Sequence, residues 1–138
     1  MNVSFEQLRG FLAEQFPQGE RYGSLSRLGD GWAEMRLAVV DDHLRPGGTV
    51  SGPALMALAD VAVFAALLGK IGLVPLAVTT NLNINFLTKP AAHRDVIAHA
   101  KLLKIGRRLA VGEVYLNSEG DEQPVAHATL TYSIPPVR

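Results

Sequence analysis

The sequence predicts an α+β protein in which an antiparallel sheet wraps one long buried helix. Three observations carry this. Residues 51–69, SGPALMALADVAVFAALLG, are apolar on every face at helical spacing, so they read as a helix buried all round. Residues 77–134 fall into four alternating stretches joined by turn signals, which read as antiparallel strands. A chain of 138 residues is long enough for one domain that buries roughly 70% of its unfolded surface.

The first element is a helix over residues 4–16. Ser4 and Gln7 form a capping box, and Val3 and Leu8 can close a hydrophobic staple. Phe5, Leu8, Leu12 and Phe16 make one apolar stripe, and Pro17 stops the helix. A weak strand over 21–28 follows. Asp30-Gly31 suits a hairpin turn, and residues 32–40 alternate, with Ala33, Met35, Leu37 and Val39 on one face. A turn-rich loop, DDHLRPGGTV, leads to the long helix over about 52–69. Ser51 or Gly52 caps that helix, Pro53 fits its first turn, and Gly69 and Gly72 suit its end. Residues 77–87 then alternate, with Val78, Thr80, Leu82, Ile84 and Phe86 expected on one face and Thr79, Asn81, Asn83 and Asn85 on the other. Strands over 95–105, 109–117 and 124–134 complete the expected meander.

Composition narrows the function. Lys plus Arg, 13 residues, equals Asp plus Glu, so neither nucleic acid nor an anionic membrane is indicated as a partner. The absence of Cys excludes a disulfide frame, a thiolate nucleophile and a Cys-based metal site. The four His residues, 43, 93, 99 and 127, show no metal-ligand spacing, so no metal is expected. No glycine-rich phosphate loop occurs, which argues against nucleotide hydrolysis and dinucleotide redox chemistry. The segment 50–69 is about as long as a membrane span. Asp60 stands at its centre, however, where a carboxylate costs roughly 2.5–3.5 kcal/mol to insert. The start of the chain reads as neither signal nor transit peptide, so the cytoplasm is the expected location.

Asp60 is the anomaly of the long helix. It is the only ionisable side chain between Arg45 and Lys70. Burying it is costly unless it finds partners, so chemistry there competes with a merely satisfied structural acid.

The run HLRPGGTVSGPALMALADVAVFAAL, with AVTTNLNINFLTKPA, GRRLAVGEVYL and VAHATLTYSI after it, resembles the hot-dog-fold acyl-CoA thioesterases of the phenylacetate-degradation (PaaI) type. The resemblance covers about residues 23–134. It implies a hot-dog fold, hydrolysis of an acyl-CoA, CoA entering only as part of the substrate, no separate cofactor, and assembly as a homodimer or dimer of dimers. Asp60 falls on the family's catalytic carboxylate, and Gly52 on the glycine whose N–H polarises the thioester carbonyl. The family's Asn falls on Arg45, and its HGG reads Ser51-Gly52-Pro53.

The residue chemistry agrees. Thioester hydrolysis needs a donor at the developing oxyanion and a base or nucleophile near the carbonyl carbon. The N-terminus of the long helix offers free N–H groups and a positive dipole end. Pro53 lacks an N–H, leaving Gly52 as the natural donor, with Ala54 second. Asp60 serves as base or as nucleophile. Gly52 and Asp60 are eight residues apart, about 12 Å along a helix, so one carbonyl does not reach both in one chain. Two antiparallel copies would bring them together, which predicts a site across a dimer interface. Ser51, first a cap, is the candidate to bond substrate or water where the family has His. His43 in the preceding loop is a possible helper. Arg45 is set evenly between a solvated loop residue and a contact to a substrate carboxylate or CoA phosphate. Thr79 and Asn81 are more readily an interface or solvent face than contacts to the acyl or pantetheine part. Lys104, Arg107 and Arg108 form a basic turn that could meet CoA phosphates. Two rivals remain: a non-catalytic acyl-CoA binding protein, and a hot-dog hydratase or dehydratase. The second usually needs a His acting with an acid, and no His lies in the helix or at its cap.

Overall fold

A computed structural model gives the protein's structure and describes residues 2–136. Met1, Val137 and Arg138, which the single-domain reading included, lie outside the described residues.

The first helix, α1, spans Phe5–Gln15 and starts as the sequence requires. Ser4 Oγ accepts from the Gln7 N–H at 3.2 Å, and Gln7 Oε1 accepts from the Ser4 N–H at 2.9 Å. Beyond Pro17 the chain makes a 3-10 turn, Pro17–Tyr22, where the weak first strand was expected to begin. Strand β1 (Ser24–Gly29) therefore starts later, and it pairs with β2 (Trp32–Leu37) across the Asp30-Gly31 turn, with Gly31 at φ 79°. The next loop holds a two-residue ladder, β3 (Leu44–Arg45) with β4 (Thr49–Val50). Helix α2 spans Gly52–Ile71 and ends at Gly72, whose φ of 114° favours glycine. Strands β5 (Val78–Phe86), β6 (Val96–Ile105), β7 (Leu109–Ser118) and β8 (Ala126–Ser133) follow.

The six long strands form one antiparallel sheet in the order β1-β2-β6-β7-β8-β5. The expected four-strand meander is thus corrected: β6-β7-β8 is one, but β5 crosses to the far edge and pairs only with β8. The helix lies against strands whose inward residues include the small Ala33, Ala98, Ala100, Ala110, Ala126 and Ala128, all buried. Gly112 on β7 belongs to this series, since a Cβ there would stand 2.9 Å from Val63 of α2. The Asn- and Thr-rich β5 has few residues to offer such a seam and suits an edge.

Helix α2 is long and apolar enough to span a membrane. Here it is the core: Leu55, Leu58, Leu67 and Leu68 are each at most 2% exposed, packed beneath the sheet. At roughly 25 cal/mol per Å² of apolar surface, this burial is the main favourable contribution to folding.

Candidate active site

Asp60 lies on the half-buried side of α2 and opens into a pocket of about 300 Å³. Its Oδ1 accepts two hydrogen bonds, from Thr79 Oγ1 at 2.6 Å and from the Tyr132 hydroxyl at 2.5 Å. The Tyr132 hydroxyl is also 3.0 Å from the Asp60 carbonyl oxygen. Tyr132 is 3% exposed, and its ring stacks on Phe64 with centroids 6.1 Å apart. Burial, reinforced by the Asp60 charge and its hydrogen bond, holds this phenol far above the ordinary tyrosine range, so it stays a donor. The rest of the pocket is largely apolar. Helix α1 contributes Phe11 and Gln15, its C-cap Phe16 a third residue, and α2 contributes Val61 and Phe64.

Thr79 reaches Asp60 through a departure from strict alternation. The β5–β8 register shifts between Thr79 and Asn81, which makes Thr80 the extra residue of a bulge. Thr79 therefore points to the helix, together with Leu82 and Ile84. Asn81, expected on the same face as Thr79, pairs with Thr131 on the outer face and does not line the Asp60 pocket. A one-residue insertion reverses faces because the side-chain period is two.

The start of α2 lies by other pockets than the one that Asp60 lines. Ser51 is its cap: Ser51 Oγ accepts from the Ala54 N–H at 3.2 Å, and the Leu55 N–H donates to the Ser51 carbonyl at 3.2 Å. Pro53 has no N–H. The Gly52 N–H is thus left without a partner among the described residues. Gly52 borders a groove of about 570 Å³ with Arg45, Phe86 and Lys89. The Phe86 ring covers the glycine closely, for a Cβ there would lie 3.3 Å from it.

The other expected residues sit apart from Asp60. Both ring nitrogens of His43 are engaged: Nδ1 accepts from the Val40 N–H at 3.0 Å, which leaves Nε2 to donate to the Arg21 carbonyl at 2.9 Å. Its backbone carbonyl accepts from the Ser51 N–H at 2.7 Å, so His43 braces the loop into α2. Lys104, Arg107 and Arg108 are exposed, at the sheet end where Leu109, Ser133 and Val78 stand in register. That end also carries Thr79. No group of three or more metal-binding side chains occurs among the described residues.

Tyr132 was missed by the sequence reading. Its signal was present: Ala126, Ala128, Leu130 and Tyr132 form one inward stripe, and a buried tyrosine hydroxyl needs a partner.

This sheet-wrapped helix, with a carboxylate midway along it, is the architecture of the hot-dog thioesterases. The chain belongs to the thioesterase superfamily, whose family model matches residues 47–125, and it is a thioester hydrolase. It is 53% identical to a Silicibacter protein provisionally described as a thioesterase. The match has a TM-score of 0.88 and covers 95% of this chain and 91% of that one. It is 31% identical to the phenylacetic acid degradation protein PaaI of Thermus thermophilus, solved as a point mutant. That match has a TM-score of 0.75 over 86% of this chain and 99% of the other. A Streptococcus mutans protein solved bound to acetyl CoA is similar in fold, with 22% identity, a TM-score of 0.74, and 84% and 90% coverage. A sequence comparison with curated proteins gives no match.

Proposed function

We propose that the protein is a cytoplasmic homo-oligomer that hydrolyses acyl-CoA thioesters to a free acid and CoA, without a resident cofactor. One observation carries this reading: the single acid of the core helix faces an apolar pocket, with one oxygen held by two hydroxyls and the other free to react. The acyl group occupies the pocket between α1 and α2. Asp60 activates water or attacks the carbonyl carbon itself. The Gly52 N–H stabilises the oxyanion as it forms, aided by the helix dipole.

The two groups belong to different chains in this proposal. Thr79, near the start of β5, touches Asp60, while Phe86, at its end, covers Gly52. The outer edge of β5 is unpaired in the sheet, and Val78 and Phe86 are 54% and 53% exposed. Two copies pairing antiparallel along this edge, about a two-fold axis near Leu82, would set Phe86 of one beside Val78 of the other. Gly52 of one copy would then approach Asp60 of its twin. Arg45 of the first copy and Arg107 and Arg108 of the second would flank that site and meet the CoA phosphates. Ser51 holds the donor loop in shape.

The decisive experiment measures free thiol released from a panel of acyl-CoAs by the wild type and by Asp60→Asn. Thiol release lost in the variant supports the reading. Binding without release by the wild type identifies an acyl-CoA binding protein instead. A single turnover in ¹⁸O-water identifies a nucleophilic Asp60 whose anhydride is opened at the Asp60 carbon: the acid then carries an unlabelled oxygen from Asp60 and the label stays in the protein, whereas a base sends the label to the acid.

A further inference from the structure

We propose that Tyr132 is the positioning residue that decides which oxygen of Asp60 reacts: its buried hydroxyl, acting with Thr79, ties up Oδ1 and presents Oδ2 to the pocket. The inference rests on the reading of Asp60 as the reactive acid. Both donors converge on one oxygen, at 2.5 and 2.6 Å, and no described residue bonds the other. A carboxylate held this way cannot rotate without breaking two short, charge-assisted bonds.

The phenol also has the Asp60 carbonyl oxygen within reach, at 3.0 Å, so it is set against the helix backbone as well as the carboxylate. The other side chains that line the pocket from α1, from α2, from the Pro75 loop and from β5 are uncharged, and Tyr132 is the only other titratable group lining it. Tyr132 and α1 both fall outside residues 47–125, the part that matches the family model.

The test is Tyr132→Phe in the full chain, which keeps the ring that stacks on Phe64. Two readouts are taken. The first is kcat and KM on an acyl-CoA that the wild type cleaves: kcat should fall about tenfold at neutral pH, with KM within about twofold of wild type. The second is the same measurement in Thr79→Val and in the double variant. Two donors holding one oxygen do not act independently, so the loss in the double variant should fall short of the product of the single losses. A merely structural tyrosine would alter the melting temperature and leave kcat in place well below it, and that result would overturn the proposal. If Tyr132→Phe does not fold, site-specific 3-fluorotyrosine at position 132 replaces it: the altered donor should change kcat with KM held, and an unchanged kcat refutes the role. Full activity in Asp60→Asn overturns the reading of Asp60, whereas activity lost there with kcat unchanged in Tyr132→Phe overturns the positioning alone, so the two claims fail separately.

Discussion

Asp60 shows how a charge is accommodated in an apolar helix. A buried carboxylate without partners would be strongly destabilising. Here one oxygen has two hydroxyl donors, the other is bonded by no described residue, and the side chain lines a pocket, so the residue is neither unsatisfied nor fully spent on structure. Asn at this position keeps the shape and the acceptor oxygen but loses the charge. Asp60→Asn should therefore fold like the wild type, judged by its melting curve, and turn over at least about a hundredfold more slowly in the thiol-release assay. Ser51 acts differently. Its hydroxyl caps α2 through the Ala54 N–H, so Ser51→Ala should lower stability by about 1 kcal/mol in urea unfolding.

At the scale of elements, helix and sheet approach closely because small residues line the seam. Gly112 is the clearest case. A side chain there would press on Val63, whose branched Cβ leaves it little freedom to move. Gly112→Val should destabilise the protein by about 1–3 kcal/mol in urea unfolding, as overpacked cores do. Gly10, inside α1, is the opposite case, since a Cβ there meets nothing within 4 Å. Gly10→Ala should raise stability by up to about 1 kcal/mol through helix propensity alone. The capping box at Ser4 and Gln7 and the cap at Ser51 were both legible in the sequence, because capping depends on neighbours three residues apart.

At the scale of the molecule, the proposed site needs two copies, and mixing variants checks this directly. Gly52→Pro removes the proposed donor N–H; its ring presses on Phe86, so a melting curve accompanies the assay to check that the variant folds. Alone it should lose about a hundredfold or more of the activity. Mixed in equal amounts with Asp60→Asn after unfolding and refolding, half the dimers pair one variant with the other. Each such dimer carries one site with both groups intact. Activity should return to about a quarter of wild type if the donor crosses the interface. No recovery would place donor and acid in the same chain.

The sequence by itself determined what depends on near neighbours: the helix starts, the Asp30-Gly31 turn, the all-round apolar character of α2, and the odd position of Asp60 within it. Hydrogen bonding and periodicity act over a few residues, so they leave their mark in short stretches. Tertiary structure alone decided where β5 goes, which face Thr79 takes, and that Tyr132 closes on Asp60. Strand order is set by which faces fit beneath the helix, and residues 60 and 132 meet only once the sheet has wrapped it. The bulge at Thr80 then turns Thr79 inward, a reversal that no alternating pattern announces, because a single unpaired residue exchanges the two faces of a strand.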